Sequence, residues 1–220
     1  MSSSSTTAVE ARLANINAMG QDLGDVYSEL WQQLARLHQT WGHFEEVFAV
    51  SSEAIEVLNS TAPNFFRTVQ DTLWESVLLR IARLTDQSNT AKKQNLSFMR
   101  LPQYVADAAL LKDLCVSIQE LSSAATFARD WRNRRLAHND LDLSLSRAAE
   151  PLAPASSRHI EDVLASMAKS LNIISLHYQE KTTFWDFFEK PSAGGGTSML
   201  HYLQIGREFD TRRHQSKRGE

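Results

Sequence analysis

The stretch PNFFRTVQDTLWESVLLRIARLTD, residues 63–86, carries the clearest structural signal in the chain. Its apolar residues follow steps of three and four, the spacing of residues on one face of an α-helix. The residues on this stripe are Phe66, Val69, Leu73, Val77, Ile81 and Leu84. Pro63 marks the predicted start of the helix. The stretch therefore predicts one long amphipathic helix with a single buried face.

The same periodicity predicts helices on both sides of this stretch. On the N-terminal side it starts near Ala8, pauses around residues 20–24 and resumes to about residue 48. Ser51 and Ser52, followed by Glu53, open a short helix, because a serine hydroxyl can accept the first free backbone N–H groups. The segment NLSFMRLPQYV, residues 95–105, is too short and mixed to classify.

Two further long helices are predicted in the C-terminal half. The first runs over about residues 107–138, and the second over residues 157–181. The buried stripe of the first contains Leu114, Ile118, Leu121, Ala125 and Ala128, and its next step is Arg132. The stripe of the second contains Ile160, Val163, Met167, Leu171, Ile174 and Tyr178.

Long helices joined by short polar breaks, without an alternating strand pattern, predict an all-α fold. The expected architecture is an antiparallel up-and-down helix bundle of four to five long helices with short accessory helices. Residues 1–7 are predicted to be a disordered lead, and residues 8–190 form the bundle. Residues 191–197, PSAGGGT, read as a flexible linker, and residues 198–220 as a C-terminal helix with a basic tail.

Composition narrows the class of protein. The chain has 220 residues, a hydrophobic fraction of 42% and a formal net charge of -3, so a polyanion would have to be recognised by a local basic patch. The single Cys115 lies among apolar residues and is predicted to be in the core. With no signal sequence and no membrane span, a cytoplasmic location is expected. Sequence motifs for nucleotide hydrolysis, redox chemistry and acyl transfer are missing.

The segment WRNRRLAHND, residues 131–140, is the strongest candidate for a functional site. An arginine followed within a few residues by a histidine occurs three times in this chain, so that spacing alone decides nothing. Only this copy has an Asn directly after the first Arg, an Ala directly before the His, further arginines between them and a place at the end of a long helix.

This segment resembles the signature of the HEPN superfamily of helical nucleases, in which an Arg, often followed by Asn, precedes a His by four to six residues. Arg132, Asn133 and His138 match it, and WESVLLRIARLTD with NLSF is similar to the abortive-infection-associated, AbiU-like branch. The resemblance implies a metal-independent endoribonuclease, often a toxin or phage-defence effector, that works as a homodimer. It implies RNA as substrate, no cofactor or metal, and a candidate antitoxin or defence partner.

The residue types fit that chemistry. Cleavage through the RNA 2′-OH needs a base, a cation for the charged phosphate and an acid for the leaving 5′-oxygen. His138 suits the proton transfers, because an imidazole titrates near pH ~6.5, and Arg132 suits the phosphate through its planar, permanently charged fork. Asn133 can orient either group. Arg134 and Arg135 lie four and three residues before His138 and are candidates to hold RNA.

One geometric problem remains for an unbroken helix. Six residues turn about 600°, which would leave Arg132 and His138 roughly 120° apart around the axis and about 9 Å apart along it. Either the helix unwinds near Leu136, or two subunits each contribute one group across a two-fold axis. The family resemblance favours the second arrangement.

Other interpretations stay open. Arginines near a helix C-terminus are favoured by the backbone dipole and can be purely structural. The alternative function is therefore a non-catalytic helical module for binding or assembly. His38 and His43 read as surface or packing residues, and Asp86 is expected to pair with an arginine across the bundle. Some toxin branches carry a modified Tyr two residues after the His, where this chain has Asp140, so regulation by that route is not expected.

Overall fold

The computed structural model describes residues 7–90, 93–136, 145, 151–185 and 194–216, and these residues are mainly helical. The helices are α1 (Ala8–Met19), α2 (Gln21–Phe48), α3 (Ser52–Thr61), α4 (Pro63–Leu84), α5 (Ala108–Ala124), α6 (Thr126–Trp131), α7 (Ser157–Gln179) and α8 (Gly196–Ser216). A 3₁₀ helix spans Phe98–Tyr104, and a π-helical turn spans Arg132–Leu136. The strands β1 (Asn89–Thr90) and β2 (Lys93–Gln94) pair antiparallel as a minimal hairpin. The predicted all-α helix bundle is confirmed.

Helix starts follow the predicted capping chemistry. Ser51 accepts a hydrogen bond from the Ala54 amide and caps α3, as expected from the serines there. Thr7 and Glu10 form a reciprocal capping box at the start of α1. Gly20 separates α1 from α2 at a φ of 85°, a conformation that favours glycine. The predicted pause near residue 20 is therefore a chain reversal between two helices.

The chain divides into two compact units. One contains Met1–Arg36 and Leu78–Phe184, and the other contains Leu37–Val77 and Trp185–Glu220. Helices α2 and α4 contribute residues to both units. The predicted end of the bundle at residue 190 and residues 191–193 of the predicted linker lie outside the described residues. Helix α8 begins within the predicted linker, at Gly196.

In the first unit, α5 and α6 pack antiparallel to α7. The hydroxyls of Ser117 and Ser170 are 2.8 Å apart, and Lys169 contacts Glu120 at 2.6 Å. Further along, Phe127 contacts the ring of His159. Residue numbers thus rise along α5 and α6 while those of the contacting residues in α7 fall. The apolar residues of the stripes predicted for residues 107–138 and 157–181 are buried, with Tyr178 only partly so, and fill the core between these helices.

In the second unit, apolar residues from four helices form one cluster: Val47, Ala54, Leu58, Phe66 and Leu200. Stacked and tilted aromatic rings of Trp41, Phe44 and Trp74 extend the core. His38 is buried and stacks on Trp185, which fits the predicted packing role, whereas His43 is exposed and lies 3.7 Å from Glu46.

Three features differ from the sequence-based expectations. Cys115 is exposed rather than in the core, because it lies one residue, or about 100° around the axis, from the buried Leu114. The helix predicted over residues 107–138 is interrupted at Ala125, and residues 137–138 lie outside the described residues. The unclassified segment at residues 95–105 contains the 3₁₀ helix.

Among the described residues, no helix combines the length and the apolar character needed to cross a membrane.

Gly24 provides a sharp test of the packing of α1 on α2. A Cβ atom at this position would lie 2.5 Å from the Cα of Ile16 and 2.6 Å from its backbone nitrogen, so α1 would have to move. We expect Gly24→Ala to lower the free energy of unfolding by about 1–3 kcal/mol in urea titrations. Helix propensity alone predicts the opposite sign, a gain of about 1 kcal/mol.

Gly206→Ala is the matched control in α8. No heavy atom lies within 4 Å of its added Cβ, so the propensity gain should appear as a stabilisation of up to about 1 kcal/mol. Stabilisation by both substitutions would contradict the close α1–α2 contact.

Candidate functional site

The candidate segment begins in a π-helical turn. Arg132–Leu136 follows α6 without a break, and Arg132 itself keeps helical backbone angles, with φ of -59° and ψ of -49°. A π turn widens the helix and changes the direction of the side chains that follow, and such turns are frequent at functional sites. Unwinding near Leu136 was one of the two arrangements considered from the sequence, and the described part of the segment shows a wider turn that ends at Leu136. Residues 137–144, including His138, lie outside the described residues.

Arg132 is partly buried and has two fixed contacts. Its Nη1 donates to the Oδ2 of Asp86, and its Nε donates to the Oδ1 of Asn133 at 3.0 Å. The side chains of Arg132 and Asp86 are 22% and 24% exposed, so solvent reaches both partners. Within the described part of the chain, no hydrogen bond uses the Nη2 of Arg132. The predicted pairing of Asp86 with an arginine across the bundle is confirmed.

A second arginine, Arg129, lies one helical turn before Arg132 and was not singled out from the sequence. Its Nη1 donates to the hydroxyl and the carbonyl of Thr85, at 3.2 and 3.4 Å, and its Nη2 donates to the Ser122 carbonyl at 2.6 Å. Burial lowers the pKa of Arg129, while the Asp86 carboxylate raises it and the Arg132 guanidinium lowers it. The signal for Arg129 in the sequence is its spacing of three residues from Arg132.

These contacts also explain the interruption at Ala125. Where the helix breaks, backbone carbonyls lose their normal partners in the next turn. The Thr126 hydroxyl donates to the Ser123 carbonyl at 2.8 Å, and Arg129 donates to that of Ser122. Side chains therefore supply the hydrogen bonds that the carbonyls at the break have lost. The break also places Arg129 against the end of α4.

Arg134 and Arg135 contact other groups. The Nη1 of Arg134 donates to the Pro151 carbonyl at 3.3 Å and lies 3.7 Å from Asp130. The guanidinium of Arg135 lies 5.5 Å from the ring centroid of Trp131, within cation–π range. Their predicted role in holding RNA stays a prediction. Arg132 is in contact with Asp86 and Asn133, whereas Arg134 contacts Pro151 in the segment that leads into α7.

That segment is tied to α6 by two further hydrogen bonds. The Trp131 indole donates to the Ala153 carbonyl at 2.8 Å, and the Ala153 amide donates to Asp130 at 2.9 Å. The helix end that carries the arginines is therefore braced on both sides, by the end of α4 and by the residues before α7.

A cavity of about 520 Å³ lies elsewhere in the first unit. It is lined by residues of α1, α2 and α7 and by the segment after α7, including Tyr27, Trp31 and Gln179. Among the predicted site residues that the structure describes, Arg132, Asn133, Arg134 and Arg135, none lines this cavity. Across the described ranges, no cluster of three or more His, Cys, Asp or Glu side chains is placed to share a metal ion.

A family model described as AbiU2, of the HEPN group, matches residues 20–196. The chain belongs to the HEPN AbiU2 family. The matched range contains Arg132, Asn133 and His138, and the match confirms the resemblance to the AbiU-like branch of the HEPN superfamily. Neither the curated proteins nor the solved structures include one significantly similar to the chain. Membership of the HEPN AbiU2 family agrees with the observed helical fold and connects the chain with a family named for abortive infection.

Proposed function

We propose that this HEPN protein is a metal-independent endoribonuclease that acts as a toxin or phage-defence effector. The observation that carries the proposal is the state of Arg132. Its guanidinium is held by Asp86 and Asn133 at a partly exposed π-helical turn, six residues before His138 in the chain. Its position is fixed at two nitrogen atoms, and its Nη2 binds neither acceptor, which is the arrangement expected of a guanidinium that receives an anion.

The reaction is an internal transfer at phosphorus. His138 takes the proton from an RNA 2′-OH, and the 2′-oxygen forms a bond to the adjacent phosphorus as the bond to the 5′-oxygen breaks. The leaving 5′-oxygen receives a proton from the imidazolium that His138 has become. The products are a 2′,3′-cyclic phosphate and a 5′-hydroxyl, so no water or other co-reactant is consumed.

Arg132 stabilises the charge that builds up on the phosphate during this transfer. Nη2 is the guanidinium nitrogen to which neither Asp86 nor Asn133 binds, so its two N–H groups form the edge that binds the phosphate oxygens. Arg129 and Arg132 share one nearby carboxylate, which leaves a local excess of positive charge on a chain whose formal net charge is -3.

The active assembly in this proposal is a homodimer. On an unbroken α-helix Arg132 and His138 would be poorly placed to meet at one phosphate, and a two-fold axis near the two helix ends would bring the arginine of one copy to the histidine of the other. An antitoxin or another defence component would then control the toxic activity of the dimer.

The test is incubation of the purified protein with end-labelled RNA in EDTA, followed by analysis of the product ends. Cyclic phosphate and 5′-hydroxyl ends are the expected result. Cleavage that disappears in EDTA would refute the metal-independent mechanism. RNA binding without cleavage under every condition would instead favour the non-catalytic binding module.

A further inference from the structure

We propose that Asp86 is a positioning residue for Arg132, and that Arg129 holds Asp86 in place through Thr85. This inference rests on the proposed ribonuclease function and deepens it, because it assigns roles to residues outside the Arg132–His138 motif. Asp86 lies 46 positions from Arg132 in the sequence, and the fold brings the two together.

A free arginine side chain is a poor transition-state ligand, because ordering its many rotamers at the moment of reaction costs conformational entropy. Here the ordering is completed before RNA arrives. The acceptors bind at Nη1 and Nε, two different nitrogens of one planar group, which fixes both its position and its rotation. The guanidinium is thus oriented with its Nη2 edge left for the phosphate.

Asp86 can do this only if its own backbone is fixed. The preceding residue, Thr85, is buried, and its hydroxyl donates to the Ile81 carbonyl at 2.8 Å. Arg129 binds both the hydroxyl and the carbonyl of Thr85 and also the Ser122 carbonyl. The Arg129 side chain therefore fastens the end of α4 to the junction of α5 and α6, and Arg132 follows at the other end of α6.

An opposite role for Asp86 is conceivable, in which the carboxylate blocks the arginine until RNA displaces it. The contact at Nη1 argues against this, since the Nη2 edge can receive a phosphate while Asp86 stays bound. The charges also argue against a blocking role. The single carboxylate of Asp86 near the guanidinium groups of Arg129 and Arg132 leaves a net positive site for the phosphate.

Three substitutions of Asp86 separate these roles. Asp86→Ala removes the acceptor and should lower kcat for RNA cleavage roughly ten- to a hundredfold, because the phosphate group is then misaligned. Asp86→Asn keeps an acceptor oxygen and removes the charge, so we expect kcat within about threefold of wild type and a lower KM. Asp86→Glu should recover part of the activity lost in the alanine variant.

Asp71→Ala is the matched control. Asp71 forms an exposed pair with Arg67 on α4, so its loss should change neither kcat nor KM. If Asp86 had only a structural role, its substitution would lower the free energy of unfolding. It would not lower mainly kcat in the alanine variant and mainly KM in the asparagine variant.

A second measurement does not depend on cleavage. In ¹⁵N relaxation experiments, the Nε–H group of Arg132 should be rigid in wild type and in Asp86→Asn and mobile in Asp86→Ala. Equal rigidity in all three proteins would overturn the positioning role. Unchanged or faster cleavage by Asp86→Ala, with Arg132→Ala inactive, would overturn it while leaving the ribonuclease proposal intact. A wild-type protein that never cleaves RNA would instead remove the ribonuclease proposal, and the role in catalysis with it.

Discussion

His138→Ala is expected to reduce kcat for RNA cleavage by roughly 10²- to 10⁴-fold, the range typical of losing a general acid–base group. In the proposed reaction one imidazole accepts the proton of the 2′-OH and an imidazolium protonates the leaving oxygen. Alanine can do neither. The measurement is single-turnover cleavage of end-labelled RNA in EDTA, with protein in excess over substrate so that binding does not limit the rate.

His177→Ala serves as the control for this substitution. His177 lies exposed in the last turn of α7, so it matches the loss of one imidazole from a helix end without touching the arginine cluster. We expect its cleavage rate to equal that of wild type. If His138→Ala cleaved as fast as His177→Ala, the imidazole would have no part in the chemistry.

The helical fold could be predicted because it follows from local rules. The stripe in α5 predicted Leu114, Leu121 and Ala128 to be buried, and each of them is. Ser51 was expected to cap a helix and does so through its hydroxyl. Spacing and capping depend on neighbours within a few residues, and a single sequence displays these neighbours directly.

The interruption of the predicted long helix could not be read in the same way. Its stripe continues through Ala125 without a breaker residue, so periodicity alone predicts one helix. The break is stabilised by Arg129, which binds Ser122 within its own segment and Thr85 just after the end of α4. These contacts depend on the end of α4 lying beside α5 and α6. The spacing of apolar residues within one helix contains no information about how separate helices pack.

The candidate site was partly predictable, because the same helical periodicity places Arg132 on a buried stripe. Arg132 was the first charged residue on a buried stripe, which indicated that it needed a partner. Asp86 was expected to pair with an arginine, and the structure shows which one. The sequence did not reveal that Asn133 would bind the Nε of the same guanidinium, or that Arg134 would be engaged near Pro151.

Arg132→Ala is the second substitution with a large expected effect. Removing a donor aimed at the charge of the transition state typically lowers kcat by about 10²- to 10³-fold. Arg132→Lys keeps the charge but loses the planar fork, so its rate should fall between those of alanine and wild type. Arg207→Ala, in the exposed part of α8, is the matched control and should cleave like wild type.

Mixing the two inactive variants tests where the groups come from. If each site combines Arg132 of one copy with His138 of the other, a mixed dimer of Arg132→Ala and His138→Ala contains one complete site and one that lacks both groups. Random exchange of subunits makes half of the dimers mixed, so the mixture should recover roughly a quarter of the wild-type rate. A site built within one chain would give no recovery, since neither variant then has a complete site in any dimer.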